Sequence, residues 1–241
     1  MKCIVCGANG AMGKLIQASL GTDRIAGLVS LDGENGVPKT FDALGICGAD
    51  AIIDFSHHSA VSAVMEYAKA NHIAVVVGTT GHTAEEKEII YEAAKHIPVF
   101  YSGNMSLGIA VLCRLAKQAA AAFPDADIEI VEIHHTRKVD APSGTAKMLF
   151  EAVKEVRPNA YANCGRAGEG KRTKDEIGIS ALRMGNVVGI HEVHICTPSQ
   201  TLTLRHEAAN RAMFADGSVA AAEFVAGKAP GLYNMEHFLN Q

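Results

Sequence analysis

Short, almost continuous apolar runs alternate with stretches of helical periodicity through the first hundred residues. The apolar runs are KCIVCG, IAGLVSLD, AIIDFS, AVVVGTT and PVFYS, and the helical stretches include MGKLIQASLG, AVSAVMEYAKANH and AEEKEIIYEAAKH. Strands that are apolar on both faces are typical of parallel sheets, because helices cover both sides of such sheets. The pattern therefore predicts βαβ units and an α/β fold.

The pattern changes near residue 105. A helical run, SLGIAVLCRLAKQAAAAF, precedes the strand DIEIVEIHH, the helix GTAKMLFEAVKEV, and the successive strands EIGISALRMG, VVGIHEVHIC and QTLTLRHEA. Strands in succession predict a mixed or largely antiparallel sheet, and hence a second, α+β domain. The glycine-rich residues 159–176 predict an exposed loop, and the last stretch, from Met213, predicts helix. We expect one domain of residues 1–104 completed by 214–241, and another of residues 105–213.

Composition narrows the classes of partner. The 241 residues are 48% hydrophobic and carry a net charge of −4, which allows a real core but no basic field for nucleic acid or an anionic membrane. The chain lacks a run of about 18 apolar residues, so we expect a cytoplasmic protein with no membrane partner. The cysteines are scattered, which predicts reduced thiols, and Cys3 and Cys6 should point to opposite faces of one strand.

A glycine-rich turn follows the first predicted strand and opens the first predicted helix. It consists of Gly7, Ala8, Asn9, Gly10, Ala11, Met12 and Gly13. A strand, glycine turn and helix in this order is the context of a dinucleotide-binding, Rossmann-like loop, in which backbone amides face a pyrophosphate. The spacing is G-x-x-G-x-x-G where G-x-G-x-x-G is the better-known form, so a purely structural turn is the alternative.

Asp32 ends the second predicted strand, 25 residues after Gly7. An acidic side chain there would hydrogen-bond the hydroxyl groups of an adenosine ribose. The nearest cations that could meet a 2′-phosphate are Lys14 and Lys39. We therefore expect NADH to be used at least as well as NADPH.

Two further loops follow predicted parallel strands, at the edge of the sheet where ligands bind. They could line the nicotinamide half of a cofactor, and the alternative is a plain turn in each case. The residues concerned are Gly78, Thr79 and Thr80, and Ser102, Gly103, Asn104 and Met105.

The segment HHTRKVDAPSGT, residues 134–145, concentrates positive charge before a helix start. Free amides and hydroxyl groups at a helix N-terminus bind anions, so we expect Ser143, Gly144 and Thr145 to hold a small anionic substrate. The alternative is a helix cap with solvated charges, and Arg137 could be solvated in either case. We expect no metal, because adjacent histidines on a strand diverge and no third ligand follows at a fitting interval, although His191, His194 or His206 could complete a site.

The sequence resembles the 4-hydroxy-tetrahydrodipicolinate reductase (dihydrodipicolinate reductase) family. The resemblance is carried by GANGAMG, GTTG, SGNMSLG, EIHHTRKVDAPSGTA, RMGNVVGIHEV, AMFADGSVAAAEF and GLYNME, and it spans essentially the whole chain. It implies a homotetrameric enzyme of the diaminopimelate route to lysine, with the second domain at the subunit interfaces. Such an enzyme reduces a cyclic dicarboxylate with NADH or NADPH.

The resemblance also implies roles for single residues. His134 matches the proposed proton donor and acceptor of the family, Lys138 its second proton donor, and His135, Gly144 and Thr145 its substrate contacts. The glycine loop from Gly7 to Met12 and the loops at 78–80 and 102–105 match its cofactor contacts. Many relatives carry phenylalanine where this chain has Met105. Two alternatives stay open: another two-domain nicotinamide reductase or dehydrogenase, and a nucleotide-sensing module without chemistry.

Overall fold

The computed structural model describes residues 1–45 and 47–241. The chain divides into two compact units, residues 1–106 with 211–241, and residues 107–210. Helix and strand bounds in the first unit are β1 Cys3–Cys6, α1 Ala11–Leu20, β2 Ile25–Val29, β3 Ala51–Asp54, α2 Val61–Asn71, β4 Ala74–Val77, α3 Ala84–Ala94 and β5 Pro98–Tyr101. The second unit contains α4 Leu107–Ala122, β6 Asp127–His134, α5 Gly144–Lys154, β7 Tyr161–Cys164, β8 Glu176–Arg183, β9 Ile190–Thr197 and β10 Gln200–Glu207. The first unit is completed by α6 Ala212–Val225, β11 Gly231–Tyr233 and α7 Met235–Leu239.

The first unit is a parallel sheet with the strand order β11-β5-β4-β3-β1-β2. Both faces of the central strands β1, β3 and β4 are buried, as the apolar runs predicted. Cys6, Val75 and Val77 face a core that includes α2 and α3. Cys3 and Val76 face the other core, against α1 and α6. The two cysteines of β1 therefore point to opposite faces, as predicted.

The strand order reverses beside β1, since β2 pairs with one side of β1 and β3 pairs with the other. In open parallel sheets, the carboxyl ends of the strands at such a reversal form the ligand-binding crevice. The glycine turn that begins at Gly7 follows β1, and Phe55 and Ser56 follow β3. The fold thus places the predicted cofactor loop at the switch point of the sheet.

The second unit is a mixed sheet with the order β10-β9-β6-β8-β7. β6 pairs antiparallel with β9 and parallel with β8. Helices α4 and α5 cover one face, where Ile128 and Ile130 of β6 pack with Leu149 of α5. Because side chains alternate along a strand, Glu132 and His134 lie on this same face of β6.

Three sequence predictions of local structure were wrong. Residues 159–176 are not all loop, because Tyr161–Cys164 form the short edge strand β7. The last stretch is not all helix, because Gly231–Tyr233 pair with β5 as β11. β2 ends at Val29, so Asp32 lies in the turn that follows the strand. Strands of three or four residues carry too few side chains to show an alternating pattern.

Among the helices of the described residues, none is both long and apolar enough to cross a membrane.

Candidate functional site

The glycine turn packs backbone against backbone. Gly7 has a φ of +83°, and a Cβ on it would lie 2.3 Å from the carbonyl oxygen of Phe55. A Cβ on Gly13 would lie 2.2 Å from the carbonyl oxygen of Gly7. Glycine is required at both positions because any side chain would overlap main-chain atoms.

The amides of this turn divide into two groups. Those of Gly7 and Ala8 donate to the carbonyl oxygen of Val29, at 2.8 and 3.1 Å. Helix α1 begins at Ala11, where Gly10 provides no side-chain cap and the first turn contains no acidic residue. A helix N-terminus of this kind presents amides without intrahelical partners and favours an anion. The part of the turn that suits an anion is thus the start of the helix, while the amides of Gly7 and Ala8 hold the turn against β2.

Asp32 is joined to the glycine turn by a side-chain hydrogen bond. Asn9 donates from Nδ2 to Asp32 Oδ1 at 2.6 Å, and the amide of Glu34 donates to the same oxygen at 3.1 Å. The hydrogen bond from Asn9 is the main reason that the pKa of Asp32 lies below its ordinary value. Asp32 is exposed, so it presents an ionised carboxylate to solvent beside the turn.

The two other predicted cofactor loops lie next to each other. The amide of Ser102 donates to the carbonyl oxygen of Val77, and a Cβ on Gly103 would lie 3.8 Å from Thr80 Cγ2. Ser102 Oγ donates to the carbonyl oxygen of Asn104 at 2.7 Å. The polar edge of the sheet is therefore continuous from β4 to β5.

Some predicted cofactor residues are core residues as well. The side chain of Met105 is 1% exposed and packs with α6, and Ala8 is equally buried. Only the backbone of Met105 is thus available for a contact with a ligand. Gly78 has no room for a side chain, because a Cβ there would lie 2.3 Å from the ring of Phe55.

Asp54 is a buried carboxyl at the end of β3 that the sequence analysis did not single out. Thr79 Oγ1 donates to it at 2.8 Å and Ser56 Oγ at 2.5 Å. Burial raises the pKa of Asp54 above its ordinary value. Asp54 ties the loop after β4 to the loop after β3.

In the second unit, Ser143 caps α5. Its hydroxyl oxygen accepts from the amide of Ala146 at 3.2 Å, and its own amide donates to Glu132 Oε1 at 3.0 Å. Ser143 is 2% exposed, whereas Gly144 is exposed and a Cβ on it would meet no atom within 4 Å. The start of α5 is therefore exposed at Gly144, while the buried Ser143 caps the helix and is anchored to Glu132.

His134 lies at the end of β6, is 9% exposed, and is bound on one ring nitrogen. Its Nδ1 is 2.6 Å from Glu132 Oε2. Its Nε2 lies beside Gly189, where a Cβ would be 3.1 Å away. The ring of His191 packs edge-on against His134, with 5.1 Å between centroids. Nε2 is thus the nitrogen that remains for a ligand.

Glu132 is fully buried and holds several parts of this site together. Arg183 donates from both terminal nitrogens to its two carboxylate oxygens, each at 2.8 Å. Burial raises the pKa of Glu132, but hydrogen bonds from Arg183, His134 and the Ser143 amide outweigh burial and bring the pKa below its ordinary value. Glu132 is therefore an ionised carboxylate in the core of the second unit.

His191 reaches Ser143 on its other side, with 3.2 Å between His191 Nε2 and Ser143 Oγ. Burial, followed by the charge of His134, lowers the pKa of His191 to about 4. His191 is therefore neutral near neutral pH. His134 and the start of α5 are linked through both Glu132 and His191.

Lys138, Arg137 and His135, which belong to the segment 134–145, are less buried than His134. Lys138 Nζ donates to Asp140 Oδ1 at 2.7 Å, and this bond is the main reason that the pKa of Asp140 is lowered. Arg137 is exposed and donates to Asn186 Oδ1 at 2.8 Å. His135 lies just beyond the end of β6 and is half-buried.

Sequence reasoning missed Glu132, Arg183 and Gly189. A signal for Glu132 was present, because it follows Ile128 and Ile130 at the inward-facing positions of β6 and is polar there. Arg183 lies on β8 opposite His134. That pairing depends on the register of two strands far apart in sequence, so no local pattern indicates it.

Comparisons with known proteins agree over the whole chain. The family model "Dihydrodipicolinate reductase, N-terminus" matches residues 1–105, and "Dihydrodipicolinate reductase, C-terminus" matches residues 108–239. A 4-hydroxy-tetrahydrodipicolinate reductase of Alkaliphilus metalliredigens is 40% identical, with 99% of each chain covered. One from Caulobacter vibrioides is 41% identical, with 99% of this chain and 97% of the relative covered.

Solved structures show the same fold. The dipicolinate-bound dihydrodipicolinate reductase from Paenisporosarcina sp. TG-14 superposes with a TM-score of 0.81 at 24% identity, covering 97% of each chain. A probable dehydrogenase from Thermotoga maritima superposes with a TM-score of 0.63 at 11% identity, covering 98% of this chain and 92% of the other. With both family models and full-length relatives in agreement, the chain belongs to the dihydrodipicolinate reductase family of oxidoreductases.

Proposed function

We propose that this chain reduces 4-hydroxy-tetrahydrodipicolinate to tetrahydrodipicolinate with NADH or NADPH, in the diaminopimelate route to lysine. The net reaction removes the 4-hydroxyl group as water and takes up one hydride and one proton. The observation that carries the proposal is the second unit's pairing of a histidine, bound at Nδ1 by a buried carboxylate, with an open helix start. Together these residues offer a proton donor and an anion site.

The first unit fits a dinucleotide. The start of α1 is uncapped and free of acidic residues, which suits a pyrophosphate, and Gly13 keeps the helix close to β1. Asp32 would accept hydrogen bonds from ribose hydroxyls. When bound, NADH or NADPH supplies the hydride. The ionised Asp32 disfavours a 2′-phosphate, so we propose that NADH is used at least as well as NADPH.

The second unit would hold the dicarboxylate. One carboxylate would lie at the start of α5 against the amides of Gly144 and Thr145, where the helix dipole favours an anion. The other would meet His135 or Lys138. Buried carboxylates without such partners would be too costly to bind.

His134 and Lys138 are the two candidate proton donors. His134 is held at Nδ1, which leaves Nε2 to deliver a proton. Lys138 is 20% exposed at its side chain and paired with Asp140. A general acid works best when its pKa is near the working pH, and histidine is the usual residue for that task. We therefore propose His134 as the donor, with Lys138 binding a substrate carboxylate.

Initial-rate measurements test the proposal. The substrate is generated enzymatically in the assay, and the oxidation of NADH and of NADPH is followed separately. We expect oxidation that depends on the heterocyclic dicarboxylate. Oxidation with an aspartate-derived aldehyde alone would indicate a different two-domain reductase. Cofactor binding without turnover of either compound would indicate a nucleotide-sensing module.

We also propose that the chain forms a homotetramer through the second unit. The face of its sheet opposite α4 and α5 carries Val131, Ile133 and Leu182, and Leu182 is 41% exposed. Apolar side chains grouped on an exposed face are typical of subunit interfaces. Sedimentation velocity at micromolar concentration distinguishes a tetramer from a monomer.

A further inference from the structure

Glu132 accepts from several donors at once, and each of its oxygens is shared. Oε2 accepts from His134 Nδ1 and from Arg183 Nη1. Oε1 accepts from Arg183 Nη2 and from the amide of Ser143. A carboxylate has about four lone-pair sites, so this arrangement leaves no acceptor capacity on Glu132.

The donors come from separate segments of the second unit. His134 ends β6, Arg183 ends β8, and Ser143 begins the helix start of α5. Arg183 also donates from Nη2 to the carbonyl oxygen of Asp140 at 2.6 Å, which fixes the turn that leads into α5. The ion pair between Glu132 and Arg183 therefore sets the position of His134 relative to the start of α5.

The ring of His134 has a defined state in this arrangement. A carboxylate without a proton can only accept, so His134 must carry a hydrogen on Nδ1. Nε2 then exchanges the catalytic proton: it delivers a proton to the substrate as an imidazolium and is left as the neutral Nδ1–H tautomer. Solvent or a neighbouring acid restores the proton for the next turnover.

We propose that Glu132, held by Arg183, is a positioning residue that fixes the Nδ1–H tautomer of His134 and anchors the start of α5. The part of this inference that concerns turnover rests on His134 being the proton donor of the proposed function. The residues that neighbour His134 on adjacent strands are His191 on β9 and Arg183 on β8, and the charge of Lys138 acts on His191. None of these offers a carboxylate in place of Glu132.

The informative variant is Glu132→Gln. An amide has one acceptor oxygen and one donor nitrogen, so it cannot accept from all of these partners. The NH₂ group of the new glutamine must point at one of the groups that donate to Glu132 in the wild type. If it points at His134, the ring must accept at Nδ1 and carry its hydrogen on Nε2. Glu132→Asp keeps the charge but is one methylene shorter. Glu129→Gln is the matched control, because Glu129 lies on the opposite face of the same strand and pairs with Arg172.

Two measurements separate positioning from stability. Nitrogen-15 NMR of the histidine rings reports which nitrogen of His134 carries hydrogen, with the signals assigned by loss in His134→Asn. We expect Nδ1–H in the wild type and in Glu129→Gln, and loss of that state in Glu132→Gln. We expect kcat to fall about 100-fold or more in Glu132→Gln, since a wrong tautomer removes general catalysis, and about 10-fold in Glu132→Asp.

Glu132→Gln should weaken binding of the dicarboxylate but not of NADH. Loss of the Ser143 anchor should raise KM for the dicarboxylate in Glu132→Gln and leave KM for NADH unchanged, because Glu132 lies in the second unit. An unchanged tautomer in Glu132→Gln, or a kcat within about 3-fold of the wild type, would overturn the proposal. If Glu132→Gln does not fold, a wild-type His134 with hydrogen on Nε2 alone overturns it, and Nδ1–H with the graded loss in Glu132→Asp supports it. If the wild type reduces no dicarboxylate, the proposed function fails, while the NMR result still decides the positioning role.

Discussion

Asn9 Nδ2 hydrogen-bonds Asp32 Oδ1 at 2.6 Å and thereby joins the glycine turn to the turn after β2. The bond keeps an ionised carboxylate beside the start of α1, where a dinucleotide would bind. The same charge that favours ribose hydroxyls repels a phosphate in their place.

Asp32→Asn therefore tests cofactor choice. The variant can still accept from Asn9 but has no charge. We expect the ratio of kcat/KM for NADPH to kcat/KM for NADH to rise about 10-fold, which corresponds to about 1.4 kcal/mol. Glu34→Ala, which removes a nearby exposed carboxylate, serves as the control and should change the ratio little. Equal changes in the two variants would assign the effect to general electrostatics.

Alanine substitutions at Gly13 and Gly10 should distinguish the effect of the turn on stability from its effect on cofactor binding. In Gly13→Ala the added Cβ would lie 2.2 Å from one main-chain oxygen and 2.7 Å from the Cα of Ala8, so the helix must move. We expect the free energy of unfolding of Gly13→Ala to be lower than that of the wild type by about 1–3 kcal/mol or more. In Gly10→Ala the new contact is 3.2 Å, which calls for a shift of only a few tenths of an ångström.

Thermal denaturation and NADH titration together check this pair. Gly13→Ala should lower Tm by several degrees, at roughly 2–4 °C per kcal/mol for a chain of this size. Gly10→Ala should retain Tm and lose affinity for NADH, because Gly10 is exposed at the start of α1, where an added methyl group would hinder a pyrophosphate. Full NADH affinity in both variants would contradict a dinucleotide at this turn.

His134→Ala is expected to lower kcat by about 100-fold or more, as the loss of a general acid does, and an equal fall in Lys138→Ala would instead make Lys138 a second proton donor. If Lys138 only binds a carboxylate, its variant should chiefly raise KM for the dicarboxylate. Arg137→Ala is the control from the same segment, since Arg137 is exposed and contacts Asn186. Steady-state kinetics with saturating NADH distinguish these results, and near-wild-type rates in both variants would reject the assignment.

His191 should make the stability of the chain depend on pH. Its pKa is about 4 in the folded chain, mainly through burial, whereas an unfolded histidine titrates near 6.5. Above pH 6.5 both states are neutral, and as pH falls from about 6.5 to 4 the unfolded chain binds a proton that the folded chain does not. The free energy of unfolding should therefore fall by roughly 3 kcal/mol over this range on account of His191.

Urea denaturation followed by circular dichroism at several pH values from 7 to 4 measures this effect. In His191→Gln the contribution is absent, so the gap in stability between wild type and variant should narrow as pH falls. If the difference in free energy of unfolding between wild type and His191→Gln did not change with pH, His191 would not be buried in its neutral form.

The sequence was sufficient for the fold class and for the family. Continuous apolar runs such as AVVV predicted a sheet covered on both sides, because both faces of β4 must be buried. The glycine turn was recognisable because Gly7 and Gly13 are required by main-chain contacts that no other residue allows. Both features are local, and local patterns survive in a single sequence.

The sequence was insufficient where function depends on pairing across the chain. Glu132 read as one of several polar positions in β6, and its importance depends on Arg183, which is 51 residues away. Substrate contact by Ser143 stays a prediction, and its local sequence does not indicate that its amide and hydroxyl also meet Glu132, Ala146 and His191. Such relationships follow from strand register, which a local pattern does not contain.

The pairing of β11 with β5 has a consequence for the order of folding during synthesis. The second unit is one uninterrupted stretch, residues 107–210, whereas the first needs residues 231–233 to finish its sheet. Domains generally fold as the ribosome releases them. The second unit can thus fold on the nascent chain, while the first stays incomplete, with an open sheet edge at β5, until residues 231–233 have been made.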